Sequence, residues 1–359
     1  MLVLSNADVE RALTLEGCLA PLEQAYKEYA QGQAENRSRS HTYFPVEDPR
    51  HPGFRFRFKS QEGGSVSGGV WALRITSDIV GVEKLANGVE RRRLIPAAPG
   101  GRYVGLVTLY SMTTLEPLCI IHDSVLQKWR VGATSALGIR ALSREDSKIA
   151  GLFGSGWQAE SHIQALLQVR PDLEEVRIYS PTPENRKKFA DFHAKATGRK
   201  IIAVDSPRAL VEDCDIVTCA TAAMDPCFNG EWLKPGAHVT SITSPDGTAK
   251  RRELDDVTFD RASKIVVTSK EQVHHDSQFD ILGPVTRGLI TFDDISSIGE
   301  ILIGDVVGPR NDDDITVFAN NTGMGLQFAA VGKAAYDSAK EMGLGHDVPT
   351  DWFLEETTP

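Results

Sequence analysis

The segment GLFGSGWQAE, residues 151–160, follows the apolar run KIAGLF and leads into a helix-like stretch, and it limits the possible folds of this chain more than any other. Three glycines fall within its first six positions. Glycine loses the most backbone freedom on folding, so such density belongs where a chain turns tightly or is approached closely. Gly154, Ser155, Gly156, Trp157, Gln158 and Ala159 spell GxGxxA between a strand and a helix. There Gly154 permits the turn, Gly156 lets a pyrophosphate reach the backbone, and Ala159 lets strand and helix pack closely. The helix start adds free N–H groups and a positive dipole end. The hexapeptide alone also suits a plain tight turn. Its strand and helix context, with a second strand at the expected distance, favours a dinucleotide site.

Beyond this turn, short apolar runs alternate with helical stretches: EEVRIYS, PENRKKFADFHAKA, KIIAVD, PRALVEDC, DIVTCAT, HVTSIT and KIVVTS. That alternation predicts an α/β fold of Rossmann type, a doubly wound parallel sheet with helices on both faces. The front of the chain differs. One helix is expected from Asp8 as its cap through Tyr29, followed by NRSRSHTYFP, the alternating FRFRFKS, a turn over QEGGSVSGG, then VWALRITSD and RYVGLVTLYSM. This is an α+β module with a mainly antiparallel or mixed sheet. A connecting helix is expected over 124–143, and a final strand, glycine turn and helix close the chain. The ERRRL run near Arg92 reads as a solvated loop with no role.

The 359 residues are comfortable for two domains. Acids outnumber Lys plus Arg by 49 to 39, which argues against nucleic-acid or anionic-membrane partners and for a small-molecule ligand. The first residues lack a basic start, apolar core and cleavage site, so a cytoplasmic location is expected. Five cysteines, including Cys214, Cys219 and Cys227, match neither zinc nor redox spacing and read as reduced core residues. Adjacent His274 and His275 lack ligand-spaced partners, so no metal is expected. Near the end of the second Rossmann strand an NAD site would hold an acid; here Ser180, Thr182 and Arg186 stand in IYSPTPENRKK. They suit a 2′-phosphate and tilt the cofactor from NAD towards NADP, although Arg186 and Lys187 lie early in a helix where solvent exposure is the plain alternative. Trp157 is a bulky residue within the glycine turn, facing either the cofactor's edge or a domain interface.

LQKWRVGATSALGIRALSRED, GAHVTSITSPDGTAKRREL and DITVFANNTGMGLQFAAVGKAA together resemble the ornithine cyclodeaminase and mu-crystallin family. The resemblance implies a substrate-binding and dimerisation domain over 1–125 with 326–359, a dinucleotide domain over 126–325, an active site in the cleft between them, and a homodimer through paired front sheets. It also implies basic side chains for the α-carboxylate of an amino or imino acid. Arg39, with Arg37 competing, matches the first arginine; Arg74 stands where the family usually has lysine; Arg130 matches the arginine at the connecting helix. Guanidinium forks suit planar carboxylates, and a surface ion pair is the alternative for each. Lys59 points either into the same site or to water. Asp246 matches the catalytic aspartate, with Lys250 and Glu253 following apart from one inserted residue, although SPDG is also a good turn. Thr221, Ser241 and Thr243, together with Asn321 and Gly323, resemble positions lining the nicotinamide, while GLQFAA departs from the family's acid-containing ending.

The chemistry so implied is hydride transfer at the α-carbon of a small α-amino or α-imino acid: imine or ketimine reduction, or amino-acid oxidation, with Asp246 moving the proton. Two alternatives stand beside it. One is cyclodeamination of a diamino acid such as ornithine, with ammonia released and no net redox change; Arg74 and the divergent ending weigh against ornithine. The other is NADP and ligand binding without turnover, against which Arg130 and Asp246 argue.

Overall fold

The computed structural model describes residues 1–84, 90–245, 251–309 and 311–356. In chain order the elements begin with β1 (Leu2–Leu4), α1 (Asn6–Ala12), α2 (Leu15–Ala30), β2 (Ala34–Pro45), β3 (Arg55–Ser65), β4 (Val70–Lys84), β5 (Glu90–Ile95), β6 (Val104–Ser111), β7 (Pro117–His122) and α3 (Asp123–Leu142). They continue with β8 (Ile149–Phe153), α4 (Trp157–Val169), β9 (Glu175–Tyr179), α5 (Pro183–Thr197), β10 (Ile201–Ala203), α6 (Pro207–Val211), β11 (Ile216–Cys219), β12 (His238–Ser241), α7 (Asp256–Asp260) and β13 (Lys264–Val267). The last are α8 (Lys270–His275), α9 (Phe279–Thr286), β14 (Ile295–Ser297), α10 (Ile298–Ile303), β15 (Thr316–Ala319), α11 (Gly325–Glu341) and β16 (His346–Asp347). Two compact units result, Met1–Arg130 with Gly323–Pro359, and Val131–Thr322.

The first unit is a sheet in the order β16-β1-β7-β6-β4-β3-β2, with β5 on β4. It is antiparallel except for the β1–β7 pair. Three expectations change here. The first helix is two: Ser5 and Asp8 form a reciprocal cap for α1, and Thr14 Oγ1 accepts from Gly17 N at 3.1 Å to start α2. QEGGS is strand rather than turn, because the α11 backbone crosses β3 too closely for side chains. A Cβ on Gly63 would stand 2.5 Å from Leu326 N, and one on Gly325 would stand 1.9 Å from Glu62 C. ERRRL belongs to a strand, β5, paired with β4.

The second unit is a wholly parallel sheet in the order β10-β9-β8-β11-β12-β15-β13-β14. The order reverses between β8 and β11, the point outside which open α/β sheets bind ligands. Apolar layers cover both faces: Ile163, Leu166, Ile178 and Ile216 belong to one, and Val217, Val239, Phe259 and Val317 to the other. This two-sided burial is why β11 and β12 read as continuous apolar runs. All five cysteines are free, four of them buried.

Candidate functional site

In the second unit the chain leaves β8 through Gly154, whose φ of 118° and a Cβ position 2.3 Å from Ala220 O admit glycine alone. Gly156 is different. Its backbone is extended, a Cβ there would meet nothing within 4 Å, and as N-cap of α4 it supplies no side chain to the helix's first N–H groups. The cradle therefore has open space over uncapped donors, which fits a diphosphate. Ala159 is fully buried behind the turn, Gln158 Oε1 is buried with no hydrogen-bond partner among the described residues, and Trp157 opens α4 at 44 % exposure. Ser155 Oγ donates to Ser180 Oγ at 3.0 Å, joining the turn to the end of β9. Thr182 is the N-cap of α5. Arg186 is buried rather than solvated: it lies over the Tyr179 ring and donates to Ser180 O at 3.1 Å and to Asp205 Oδ1 at 2.8 Å.

At the ends of β11 and β12, Glu253 organises three of the sequence-predicted residues. Its fully buried carboxylate accepts from Thr221 N and Oγ1 (both 2.7 Å), Ser241 Oγ (2.9 Å), Ile242 N (2.9 Å) and Thr243 N (3.0 Å). Cys227 N also donates to the Glu253 carbonyl at 2.8 Å. Thr243 Oγ1 is left buried with no partner among the described residues. Asp246 and Lys250 lie outside those residues. Behind this cluster, burial pushes the Asp280 carboxyl up to about 7, with Glu253 adding to the rise. The Asn321 side chain is engaged within the protein: its Oδ1 accepts from Thr268 N and Ser269 N, and its Nδ2 donates to Ser269 O and Gln278 Oε1.

In the first unit, period-two alternation sends Arg57, Lys59 and Gln61 of β3 to the face shared with Asp78, Thr76 and Arg74, their partners on β4. Arg39 reaches a buried position through the register shift between Arg37 and Ser40, whereas Arg37 is exposed, 3.8 Å from Glu62. Arg74 donates to Gln61 Oε1 and Asp123 Oδ2, each at 2.5 Å. Arg130 donates to Gln327 Oε1 at 3.0 Å, and Gln327 in turn donates to Tyr26 OH at 2.5 Å. Both guanidiniums lie over the Phe328 ring, at 5.1 and 5.2 Å from its centroid. Gly323 belongs with them, since its carbonyl accepts from Gln61 Nε2 and a Cβ would stand 2.8 Å from Arg130 Nη2. Arg74 Nε, Arg130 Nε, Thr76 Oγ1 and Asp123 Oδ1 are buried without partners among the described residues. Burial, followed by Arg74, Arg57, Arg39 and Arg92, pulls the half-buried Lys59 amine well below its ordinary value. Burial and the neighbouring Arg74 bring Arg130 down to about 9, against the opposing pull of Asp123 and Tyr26. Buried positive charges crowded in this way are relieved when an anion enters.

Residues 78–343 match the Ornithine cyclodeaminase/mu-crystallin family. The chain belongs to that family. It is 26 % identical over 354 residues to the alanine dehydrogenase of Archaeoglobus fulgidus, covering 97 % of this chain and 98 % of that one. Its fold is similar to that of Thermococcus litoralis Delta(1)-pyrroline-2-carboxylate reductase, solved with NADH and L-proline (TM-score 0.82, 31 % identity, 97 % of this chain and 100 % of that one). It is also similar to an archaeal alanine dehydrogenase dimer with bound NAD (TM-score 0.79, 25 % identity, 97 % and 98 %).

For this ornithine cyclodeaminase/mu-crystallin family chain, sequence reasoning did not name Gln61, Asp123 and Gln327, placed Arg92 in a loop rather than a strand, and named Glu253 without a task. Arg92 was legible only as one of three arginines in a row; register puts it opposite Val82 on the Arg57 face, with its Nε buried. Gln327 and Phe328, the departure from an acidic ending, are the hydrogen-bond partner and the ring platform of Arg130. Among the described residues no helix is long and apolar enough to cross a membrane.

Proposed function

We propose that the protein is an NAD(P)-dependent oxidoreductase that transfers hydride at the α-carbon of a small α-amino or α-imino acid. The observation that carries this reading is the buried pair Arg74 and Arg130 on Phe328, each with an Nε that has no partner among the described residues, beside an amine held below its usual range. These guanidiniums bind the substrate carboxylate through charge-assisted hydrogen bonds and fix the α-carbon. Asp123 and Gln61 hold Arg74 in place, and Gln327 does the same for Arg130. The nicotinamide, when bound, supplies the hydride chemistry, and Gly154, Ser155, Gly156 and the start of α4 are the residues that would hold its diphosphate. Lys59 Nζ, held well below its ordinary value by burial and the surrounding arginines, exchanges a proton with the substrate nitrogen. Asp246 is the second proton-carrying group, and Thr221, Ser241 and Thr243 face the nicotinamide end.

Ser180 and Thr182 suit either coenzyme, and the pairing of Arg186 with Asp205 tempers the NADP preference that its charge suggests. The outer face of the first unit's sheet bears a cross-strand row of exposed apolar residues, Phe58 (40 %), Val104 (44 %) and Leu106 (37 %), which suits a second copy of this chain, so the working form is a homodimer. The five free cysteines fit a reducing compartment such as the cytoplasm.

The test is absorbance of the reduced nicotinamide with amino acids, or with imines formed from 2-oxo acids and ammonia. Stoichiometric change is expected. Ammonia release at constant absorbance would replace this reading with cyclodeamination, and neither signal would leave a binder. Asp246→Asn should abolish turnover while leaving coenzyme affinity within about twofold; full activity removes Asp246 from the mechanism.

A further inference from the structure

Arg74 Nε, Thr76 Oγ1, Asp123 Oδ1 and Arg130 Nε, the buried atoms of the first unit's arginine site without partners among the described residues, come from two elements. Thr76 lies two residues from Arg74 on β4 and shares its face, and Arg130 lies two turns from Asp123 on the same side of α3. The two elements meet where Arg74 Nη2 donates to Asp123 Oδ2 at 2.5 Å. Across the sheet, Thr76 stands directly opposite Lys59 on β3 and Gly105 on β6. Gly105 leaves the room that Asp123 fills, since a Cβ there would stand 2.7 Å from Asp123 Oδ2 and 2.8 Å from Asp123 Cβ. Positions directly opposite on neighbouring strands hold their Cβ atoms about 4.5–5.5 Å apart, so the Asp123 carboxylate hangs beside the Thr76 hydroxyl. Thr76 is 7 % exposed and Asp123 4 %. A buried polar group left without a partner costs about 1–3 kcal/mol, so four together call for an occupant. Two of these atoms, the arginine Nε groups, are donors; the carboxylate and hydroxyl oxygens are acceptors. A zwitterionic amino acid carries the complement of that set, a carboxylate for the donors and an ammonium for the acceptors.

We propose that Asp123 Oδ1 and Thr76 Oγ1 form the acceptor seat for the α-nitrogen of the substrate, beside the arginine donors that take its α-carboxylate. The inference rests on the proposed carboxylate seat at Arg74 and Arg130, and it holds whatever reaction follows at the α-carbon. Asp123 then has a task for each oxygen: Oδ2 positions Arg74, and Oδ1 meets the substrate. A carboxylate beside the nitrogen favours its protonated form, ammonium or iminium, and an iminium accepts hydride more readily than a neutral imine. The seat lies in the cross-strand row that also contains Lys59, the amine proposed above to exchange a proton with this nitrogen.

Calorimetry on the full chain with NADH present tests the seat without turnover, because an amino acid and NADH are both reduced. L-Proline is compared with tetrahydro-2-furoate, whose ring oxygen replaces the N–H donors, and L-alanine with propionate. Within each pair that binds, the amino acid should bind tighter by about tenfold or more, the worth of one charge-assisted contact. Thr76→Val, which keeps the shape and removes the hydroxyl, should lower that ratio by about three- to tenfold and leave the nitrogen-free acids within about twofold; Thr76→Ser should restore it. Asp123→Asn loosens Arg74 and weakens both acids, yet it should also lower the ratio, by at least as much as Thr76→Val. Equal affinity within the pairs for the native protein overturns the inference even if a variant fails to fold. An unmoved ratio in either Thr76→Val or Asp123→Asn does the same, and binding of none of the four acids overturns the seat together with its arginines. Absorbance of the reduced nicotinamide separates the two readings. A preference for nitrogen without turnover of any acid removes hydride transfer and keeps the seat, whereas turnover with no such preference removes the seat alone.

Discussion

Replacing Gly156 with alanine separates coenzyme binding from folding, because the two glycines of the turn are glycines for different reasons. At Gly156 the backbone is extended and a Cβ meets nothing within 4 Å, so the fold tolerates the methyl group. Loss of a glycine from the unfolded chain even stabilises by about 0.4–1 kcal/mol. With the coenzyme placed as proposed, the methyl group occupies the space its diphosphate needs to reach the α4 donors. Losing one or two hydrogen bonds to a charged group costs about 1.5–3 kcal/mol each, which weakens NADH binding by roughly ten- to ten-thousandfold. At Gly154 the balance is reversed. A φ of 118° and an approach of 2.3 Å to Ala220 O put strain and overlap into the empty protein, so Gly154→Ala should cost roughly 2–5 kcal/mol and lower Tm by about 5–15 °C. Thermal unfolding of both variants, with NADH titrated by calorimetry, reads the two effects independently. Wild-type NADH affinity in Gly156→Ala would refute the placement of the diphosphate, whatever the behaviour of Gly154→Ala.

Glu253→Gln replaces one oxygen of a five-bond acceptor with a donor, so at least two donors lose partners, and stability should fall by about 2–6 kcal/mol with kcat falling further than coenzyme affinity; unchanged melting would contradict the clamp. Asp280 is protonated in the folded protein up to about pH 7, whereas its ordinary value is 3.8, so the folded state holds an extra proton between these values and the group erodes stability as pH rises through them. Asp280→Asn should match the native protein near pH 4 and gain up to about 4 kcal/mol by pH 8 in denaturant melts; a gain equal at both pH values would remove the linkage. Asp205→Asn frees the Arg186 guanidinium of its carboxylate partner and should raise the NADPH-to-NADH affinity ratio severalfold, about the worth of an exposed pair; an unmoved ratio means that Arg186 does not meet the 2′-position.

The Rossmann half was legible because its signals are local. Two-sided burial writes itself as apolar strands of four or five residues, and the glycine turn is contiguous. Arg74 and Arg130 were visible as residue types in a resembling context, but their supports were not: Gln61, Asp123 and Gln327 lie 13, 49 and 197 residues from the arginines they hold, separations that no periodicity reports. The β5 strand was misread because three arginines in a row look like a solvated loop until a partner strand fixes which of them turns inward.

From the order of its residues alone this chain was legible as one parallel, nucleotide-type sheet and one largely antiparallel sheet, with a glycine turn at Gly154 and Gly156. Only the tertiary structure decided that Arg39 rather than Arg37 is buried, that Glu253 ties the ends of β11 and β12, and that Arg92 joins the cationic face. Those outcomes depend on register, a bulge and the closing of long loops, where a shift of one residue turns every side chain to the opposite face.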